Sequence, residues 1–504
     1  MTDTPSRENL IAAIDLGSNS FHMVLAEQFQ GEFRILDKRG EKVRLAAGLD
    51  ENGHLSLEAQ ERGWECLRGF AQHISGLSES QVTVLATNAL RVAKNREDFI
   101  IKAEEILGYP IEVIAGREEA RLVYLGVCHS LSNEKERRLV VDIGGGSTEF
   151  IIGEKFDPLK LESLHMGCVS YTKYFFDDGV ITKKSFKQAI KRAEQELLNI
   201  KASYQAVGWQ EAIGSSGTIR AVENVGVAQG WSEEGITQDS LKKINQIALD
   251  IGNSDDLDLP GLKPDRKRTF VAGLAIVNAI FNTFNLKKMR YSDAALREGA
   301  LWDFVGRSTQ EEDVRERTVK AMQERFHVDT EQSNKVRETV LHLVASLQNN
   351  SQVKFTDLET KRLAWAADLY EIGLSISHSQ FQKHGAYLIE HGDMLGFTKQ
   401  GQKLIGFLIR SHRRKFPKEE FDLLNKKEQK LVRKLSVILR MAVLLNHSRK
   451  GIDLTAIELK EIDSGYELMT PKGWLDNYNL IQEDLISETG YLSIMDIDLV
   501  VSEK

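Results

Sequence analysis

Cysteine, proline and long apolar runs are scarce in these 504 residues, and each scarcity excludes something. The three cysteines, Cys66, Cys128 and Cys168, stand too far apart for a disulfide framework or a metal cluster. They fit a reducing compartment, packed as small apolar residues. Only seven prolines occur and no low-complexity linker interrupts the chain, so its domains are expected to pack directly on one another. No apolar run approaches the roughly 20 residues of a membrane span. The best candidate, 269–281, is short and carries Asn278, and it reads as a buried helix. The polar start MTDTPSRENL lacks the basic-then-apolar order of a signal peptide. A cytoplasmic protein without a transmembrane segment is expected, with peripheral membrane association left open.

What is present is an ordinary globular balance, 41% hydrophobic and 28% charged residues, which excludes collagenous and disordered classes. The net charge of −8 argues against a general nucleic-acid binder. That average conceals a basic block. Residues 399–450 hold 15 Lys and Arg against 4 Asp and Glu, a local +11 that leaves −19 on the remainder. Such a block on an acidic background suggests a polyanion site.

Two segments share one skeleton. LIAAI-DLGSNS-FHMVLA (10–26) and LVVDI-GGGSTE-FII (139–152) both read as strand, turn, strand, with Asp15 and Asp142 at the strand ends, 127 residues apart. Helical spacing at 57–74 and 96–107 alternates with strand-like 82–86 and 111–114, which predicts α/β halves built on mostly parallel sheets. A third glycine–hydroxyl turn, IGSSGT (213–218), opens another helix. From about 310 strand signals vanish and helical periodicity continues to about 448. After 452 alternation returns. The expected domains are 1–125 and 126–309 (α/β), 310–450 (all-helical) and 451–504 (small and β-rich).

Glycine-rich turns let backbone N–H groups approach a phosphate closely. Gly17, Ser18, Asn19 and Ser20 form the first such turn; Gly144, Gly145, Gly146, Ser147 and Thr148 form the second; Gly214, Ser216, Gly217 and Thr218 form the third. One of these would be a common structural hairpin, whereas two matched copies and a third point to phosphate held between two domains. Asp15 and Asp142 are placed to hold Mg²⁺ or its water. GREEARL (116–122) brings carboxylates near phosphate loops, an arrangement suited to deprotonating a water. On the residues alone Glu118 and Glu119 are both candidates.

With GREEARL between them and MGCVS and GSSGT after, DLGSNSFHM and DIGGGSTEF resemble the exopolyphosphatase/guanosine pentaphosphate phosphatase family over essentially the whole chain. The resemblance implies two ribonuclease H-like domains of the actin, Hsp70 and sugar-kinase group. It also implies Glu119 as catalytic base, Glu149 joining Asp142 around Mg²⁺, and Arg91 reaching the phosphates. The segment LYEIGLSISHSQFQKHGAYLI is similar to the HD phosphohydrolase fold, but Tyr370-Glu371 replaces the metal-binding His-Asp doublet. Tyrosine is a poor ligand for a hard divalent ion, so this domain reads as a degenerate copy retained for binding and for a homodimer. His378, Arg413, Arg414 and Lys415 are its candidate phosphate-binding residues. Thin aromatic interleaving argues against single-stranded nucleic acid.

The reading that follows is a Mg²⁺-dependent exopolyphosphatase releasing orthophosphate from polyphosphate ends. The alternative is hydrolysis of guanosine pentaphosphate, or both activities: KVRLAAGL resembles the nucleotide-acting branch, while GGGSTE, Ser377-His378-Ser379 and RSHRRK resemble the polyphosphate branch. A small-molecule kinase of the same fold group stands outside these.

Overall fold

The computed structural model describes residues 9–29, 32–131, 137–308, 313–449 and 454–504. The polar first eight residues, and the domain boundaries expected at 309/310 and 450/451, lie outside the described residues. The chain forms two compact units, 1–311 and 312–504.

The first unit contains two sheets with one plan. In the first, β1 (Leu10–Leu16), β2 (Phe21–Phe29), β3 (Glu32–Glu41), β4 (Val82–Ala86) and β5 (Glu112–Val113) lie in the order β3-β2-β1-β4-β5. The second holds β6 (Arg137–Ile143), β7 (Thr148–Glu154), β8 (Asp157–Leu164), β9 (Glu211–Ser215), β10 (Ile236–Thr237) and β11 (Lys288–Tyr291) in the order β10-β11-β9-β6-β7-β8. Each begins with an antiparallel meander of three strands and continues with parallel neighbours, and in the second sheet β10 closes the edge antiparallel to β11. The sheets are therefore mixed rather than mostly parallel. Tight four-residue turns can join only antiparallel strands, and the glycine-rich motifs are those turns.

The α/β expectation holds, and the repeat in sequence is a repeat in topology. β1 and β6 are nearly fully buried, as central strands covered on both faces must be. The helices Gly116–His129 and Leu296–Ser308 share a core with both sheets, in which Val123 and Leu301 pack with Ile11, Ala13, Val140 and Ile213. Their crossing depends on two glycines. A Cβ on Gly299 would overlap the Leu122 carbonyl oxygen, and one on Gly126 the Ala295 carbonyl oxygen. The boundary expected at 125/126 falls inside the first of these helices. The apolar run at 269–281 forms a buried helix, Lys267–Phe284, with the Asn278 amide satisfied by the Leu274 carbonyl at 2.7 Å and by Asn245. No described helix is long and apolar enough to cross a membrane.

The second unit is a helical assembly, with Leu343, Trp365, Leu408 and Ile438 in its core. The tail supplies a three-stranded sheet, β12 (Glu458–Ile462), β13 (Gly465–Thr470) and β14 (Asp498–Glu503), and Leu459, Leu468 and Leu499 join that same core. The tail also contains a helix, Asn479–Leu492, whose buried Ile481, Leu485, Glu488 and Leu492 recur at helical spacing between the alternating segments. It is tied to the bundle by a buried ion pair between Arg440 and Glu488.

Candidate active site

The site begins where β1 and β6 end. Strand register places Asp15 opposite His22 and Asp142 opposite Glu149, the same 127-residue offset in each pair. Gly17 allows the first turn to close, since a Cβ there would stand 2.7 Å from the Ser20 carbonyl oxygen. In the second turn a Cβ on Gly145 would lie 3.0 Å from Ser18 Cβ and 3.4 Å from Asn19 N. The two hairpins therefore touch. The third turn is braced on the second by Ser216 Oγ, which donates to the Ile143 carbonyl at 2.7 Å. Ser216 holds φ at +70°, a left-handed conformation uncommon for a side-chain-bearing residue and frequent at functional turns.

These turns frame one cleft of about 420 Å³, lined by Gly17 to Ser20, Gly144, Gly145, Ser147, Ser216, Gly217 and Thr218. Asp15, Glu119, Asp142 and Glu149 line it as well. The last three are at most 9% exposed, so four carboxylates meet where water screens them poorly. Burial, reinforced by Asp15 and Asp142 and partly offset by Arg91, pushes Glu119 up to about 7. Burial and the neighbouring Asp15 push Asp142 up to about 6, although hydroxyls of Ser216 and Ser215 work the other way. Burial and the charges of Glu119 and Asp142 hold Glu149 well above the usual carboxylate range.

Each acid has a distinct set of partners. Glu119 Oε2 accepts from Arg91 Nη1 at 3.1 Å, and the same nitrogen donates to the Ile114 carbonyl at 2.9 Å. Glu149 Oε1 accepts from Ser163 Oγ at 2.8 Å. Asp15 and Asp142 each keep a buried Oδ1 without a hydrogen-bond partner among the described residues. Glu118, one residue before Glu119, is committed elsewhere: Arg121 grips it with two hydrogen bonds, 2.9 and 2.7 Å, and also reaches Asp303 at 2.6 Å. Glu119, and not Glu118, lines the cleft.

No group of three or more His, Cys, Asp and Glu side chains is arranged to hold a metal among the described residues. Mg²⁺ does not need one, because it is commonly held by one or two carboxylates with phosphate and water completing its shell. The orphaned oxygens of Asp15 and Asp142, with Glu149 beside them, fit that chemistry.

Several expected site residues are placed differently. Thr148 is fully buried and its hydroxyl donates to the Met166 carbonyl at 2.5 Å, so it braces the hairpin and does not face the cleft. Gly214 lies under Ile219 and Met289, a packing position. Gly146 abuts Asn88 rather than lining the cleft. Ser18 lines the cleft, but its Oγ accepts from Ala89 N at 3.1 Å, anchoring the short helix that carries Arg91. Arg91 reaches the site through Glu119. His378, Arg413 and Arg414 line a separate cavity within the second unit, and Lys415 does not. Sequence reading missed His22, Lys42, Lys263, Arg266 and Arg297, all of which line the cleft. These are single side chains outside any glycine-rich motif; only the pairing register, which sets His22 where Glu149 stands in the second hairpin, would have flagged one of them.

Comparison with known proteins bears on this geometry. Residues 24–308 match the Ppx/GppA phosphatase family, and residues 314–489 match Ppx/GppA phosphatase, domain III. A guanosine-5'-triphosphate,3'-diphosphate pyrophosphatase from Pseudoalteromonas atlantica is 38% identical over 481 residues, 95% of either chain. The crystal structure of an Aquifex aeolicus Ppx/GppA family member is 27% identical with a TM-score of 0.51, covering 60% of this chain and 99% of that one. An exopolyphosphatase from Cytophaga hutchinsonii shares the fold, at 21% identity and a TM-score of 0.54, over 59% and 97% of the two chains.

Proposed function

The chain belongs to the Ppx/GppA phosphatase family, and from that premise we propose that it hydrolyses the terminal 5′ phosphoanhydride of guanosine pentaphosphate, releasing orthophosphate, with Mg²⁺ as cofactor. One observation carries the chemistry: a buried carboxylate raised to about 7, Glu119, shares a cleft with three glycine–hydroxyl turns. The substrate choice draws on the 38% identical relative and its name.

Glu119 is the base. With its pKa near working pH it is partly deprotonated yet basic enough to accept a proton from water. That water forms a bond to the terminal phosphorus in line with the bridging oxygen. The P–O bond to the bridge breaks, and the bridging oxygen leaves with the remaining diphosphate. Backbone N–H groups of 17–20, 145, 147 and 216–218 hold the transferred oxygens, and positioning plus electrostatics supplies most of the acceleration. Lys263, Arg266 and Arg297 line the same cleft and offset charge along the phosphate chain. One or two of the carboxylates Asp142, Glu149 and Asp15 would hold Mg²⁺, which would supply positive charge against the phosphoryl oxygens.

Polyphosphate is the second reading, favoured by the local +11 of residues 399–450. Full-length protein with Mg²⁺, offered guanosine pentaphosphate and polyphosphate side by side, decides between them. A higher kcat/KM for orthophosphate release from the nucleotide supports the proposal, and a higher value for polyphosphate overturns it. Phosphate release without an acceptor also excludes a kinase.

A further inference from the structure

The second unit encloses a cavity of about 430 Å³ whose chemistry the reaction above does not use. It is lined by the end of the helix Asp357–Leu369 (through Tyr370 and Glu371), by Gln332, by His412 to Arg414, and by Tyr491. Three buried polar atoms on its wall lack any hydrogen-bond partner among the described residues: Gln332 Oε1, Glu371 Oε2 and His412 Nε2. Their residues are 4%, 8% and 2% exposed. Leaving such atoms unsatisfied costs about 1–3 kcal/mol each, so three on one wall imply that something else satisfies them.

All three are acceptors. The Gln332 amide nitrogen donates to the Asn446 carbonyl at 2.9 Å and to the Tyr370 hydroxyl at 3.3 Å, which fixes the amide and turns its oxygen to the cavity. His412 Nδ1 lies 2.6 Å from the Ile409 carbonyl, a pure acceptor, so Nδ1 carries the proton and Nε2 offers a lone pair. Burial first, then the charges of Arg413 and Arg440, hold this imidazole down to about 3, neutral at physiological pH. Glu371 Oε1 accepts from Arg449 at 2.5 Å, and Oε2 stays open. A partner for this wall must bring several hydrogen-bond donors close together.

Arg413 and Arg414 line the same cavity and make no ion pair with a described residue, with Arg413 lying over the Phe381 ring at 5.0 Å. Glu371 offsets part of the Arg413 charge, and two adjacent arginines on one wall still favour phosphate. The tyrosine and phenylalanine rings offer flat apolar surface.

We propose that this cavity is a second ligand site, separate from the hydrolytic cleft, that takes a guanine nucleotide, its N1–H and N2–H₂ edge on Glu371, Gln332 and His412 and its phosphates on Arg413 and Arg414. Guanine presents three N–H hydrogens in a row, on N1 and N2, with its acceptor O6 at the end of that edge. Adenine sets an acceptor, N1, beside its single amino group and leaves the carboxylate unsatisfied.

Hydrogen–deuterium exchange on the full-length protein tests this with GDP, ADP and pyrophosphate as probes. GDP is expected to protect 369–378 and 408–415, at concentrations roughly ten-fold or more below those ADP or pyrophosphate requires. Glu371→Gln abolishes the preference for GDP over ADP. If that variant fails to fold, the double substitution Arg413→Ser/Arg414→Ser weakens GDP protection instead. An Asp142→Asn protein, impaired in the hydrolytic cleft, keeps the effect. No protection at millimolar GDP, equal protection by ADP or pyrophosphate, or loss of protection in Asp142→Asn would each overturn the assignment.

Discussion

Arg91 sets its guanidinium 3.1 Å from the Glu119 carboxylate while the Ile114 carbonyl holds the same nitrogen in place. The contrast with the preceding residue defines the site. Glu118 is neutralised by a two-bond grip from Arg121, whereas Glu119 has a single bond to Arg91 and faces three other carboxylates.

Glu119→Gln is expected to lower kcat for orthophosphate release by about 10²–10⁴ with substrate affinity nearly intact. Glu118→Gln should act instead on stability, since breaking a buried ion pair costs about 3–5 kcal/mol. Thermal unfolding and steady-state kinetics on the two proteins separate these roles. Turnover of Glu119→Gln within a few-fold of the parent removes Glu119 as base.

The acidic limb of kcat/KM against pH should have its midpoint near 7, where Glu119 in the free protein loses its proton. Arg91 pulls that value down, so Arg91→Ala is expected to move the limb toward higher pH by about one unit. A limb that stays put, or moves to lower pH, would break the link between the two residues.

The same shift makes a stability prediction. A carboxyl raised in the folded state destabilises the fold above its folded value near 7, and this cost fades as pH falls toward its unfolded value of 4.5. Glu119→Gln should therefore raise Tm at pH 8, by a gain on the order of 1–3 kcal/mol, and leave it nearly unchanged at pH 4.5. Unfolding scans at the two pH values check the sign.

At the helix crossing, Gly126→Ala and Gly299→Ala should each destabilise by roughly 1–3 kcal/mol or more, because the added methyl meets backbone rather than a flexible side chain. Denaturant midpoints measure the loss. A midpoint equal to the parent's would mean the helices can separate at no cost.

Much of this molecule was legible before any coordinates. Asp15 and Asp142 mark strand ends because apolar runs stop there and glycine begins, a local property of the chain. Paired hairpins, buried strands and the helical stretch after 313 follow from period and turn chemistry in the same way. The helix Asn479–Leu492 was overlooked because it sits between short alternating segments that read as strand.

Side-chain direction was a different matter. Thr148 stands inside a phosphate-turn motif, yet its hydroxyl is consumed by the Met166 carbonyl. Glu118 and Glu119 are chemically equivalent in a string of letters. Adjacent helical positions point about 100° apart, so packing sends one to Arg121 and the other to the cleft. Composition and periodicity determined the elements, the duplication and the phosphate turns, since those depend on neighbours along the chain. Tertiary structure alone decided which carboxylate is free to act, which cations line the cleft, and that three acceptors in the second unit share one cavity wall, because each depends on residues brought together from distant positions in sequence.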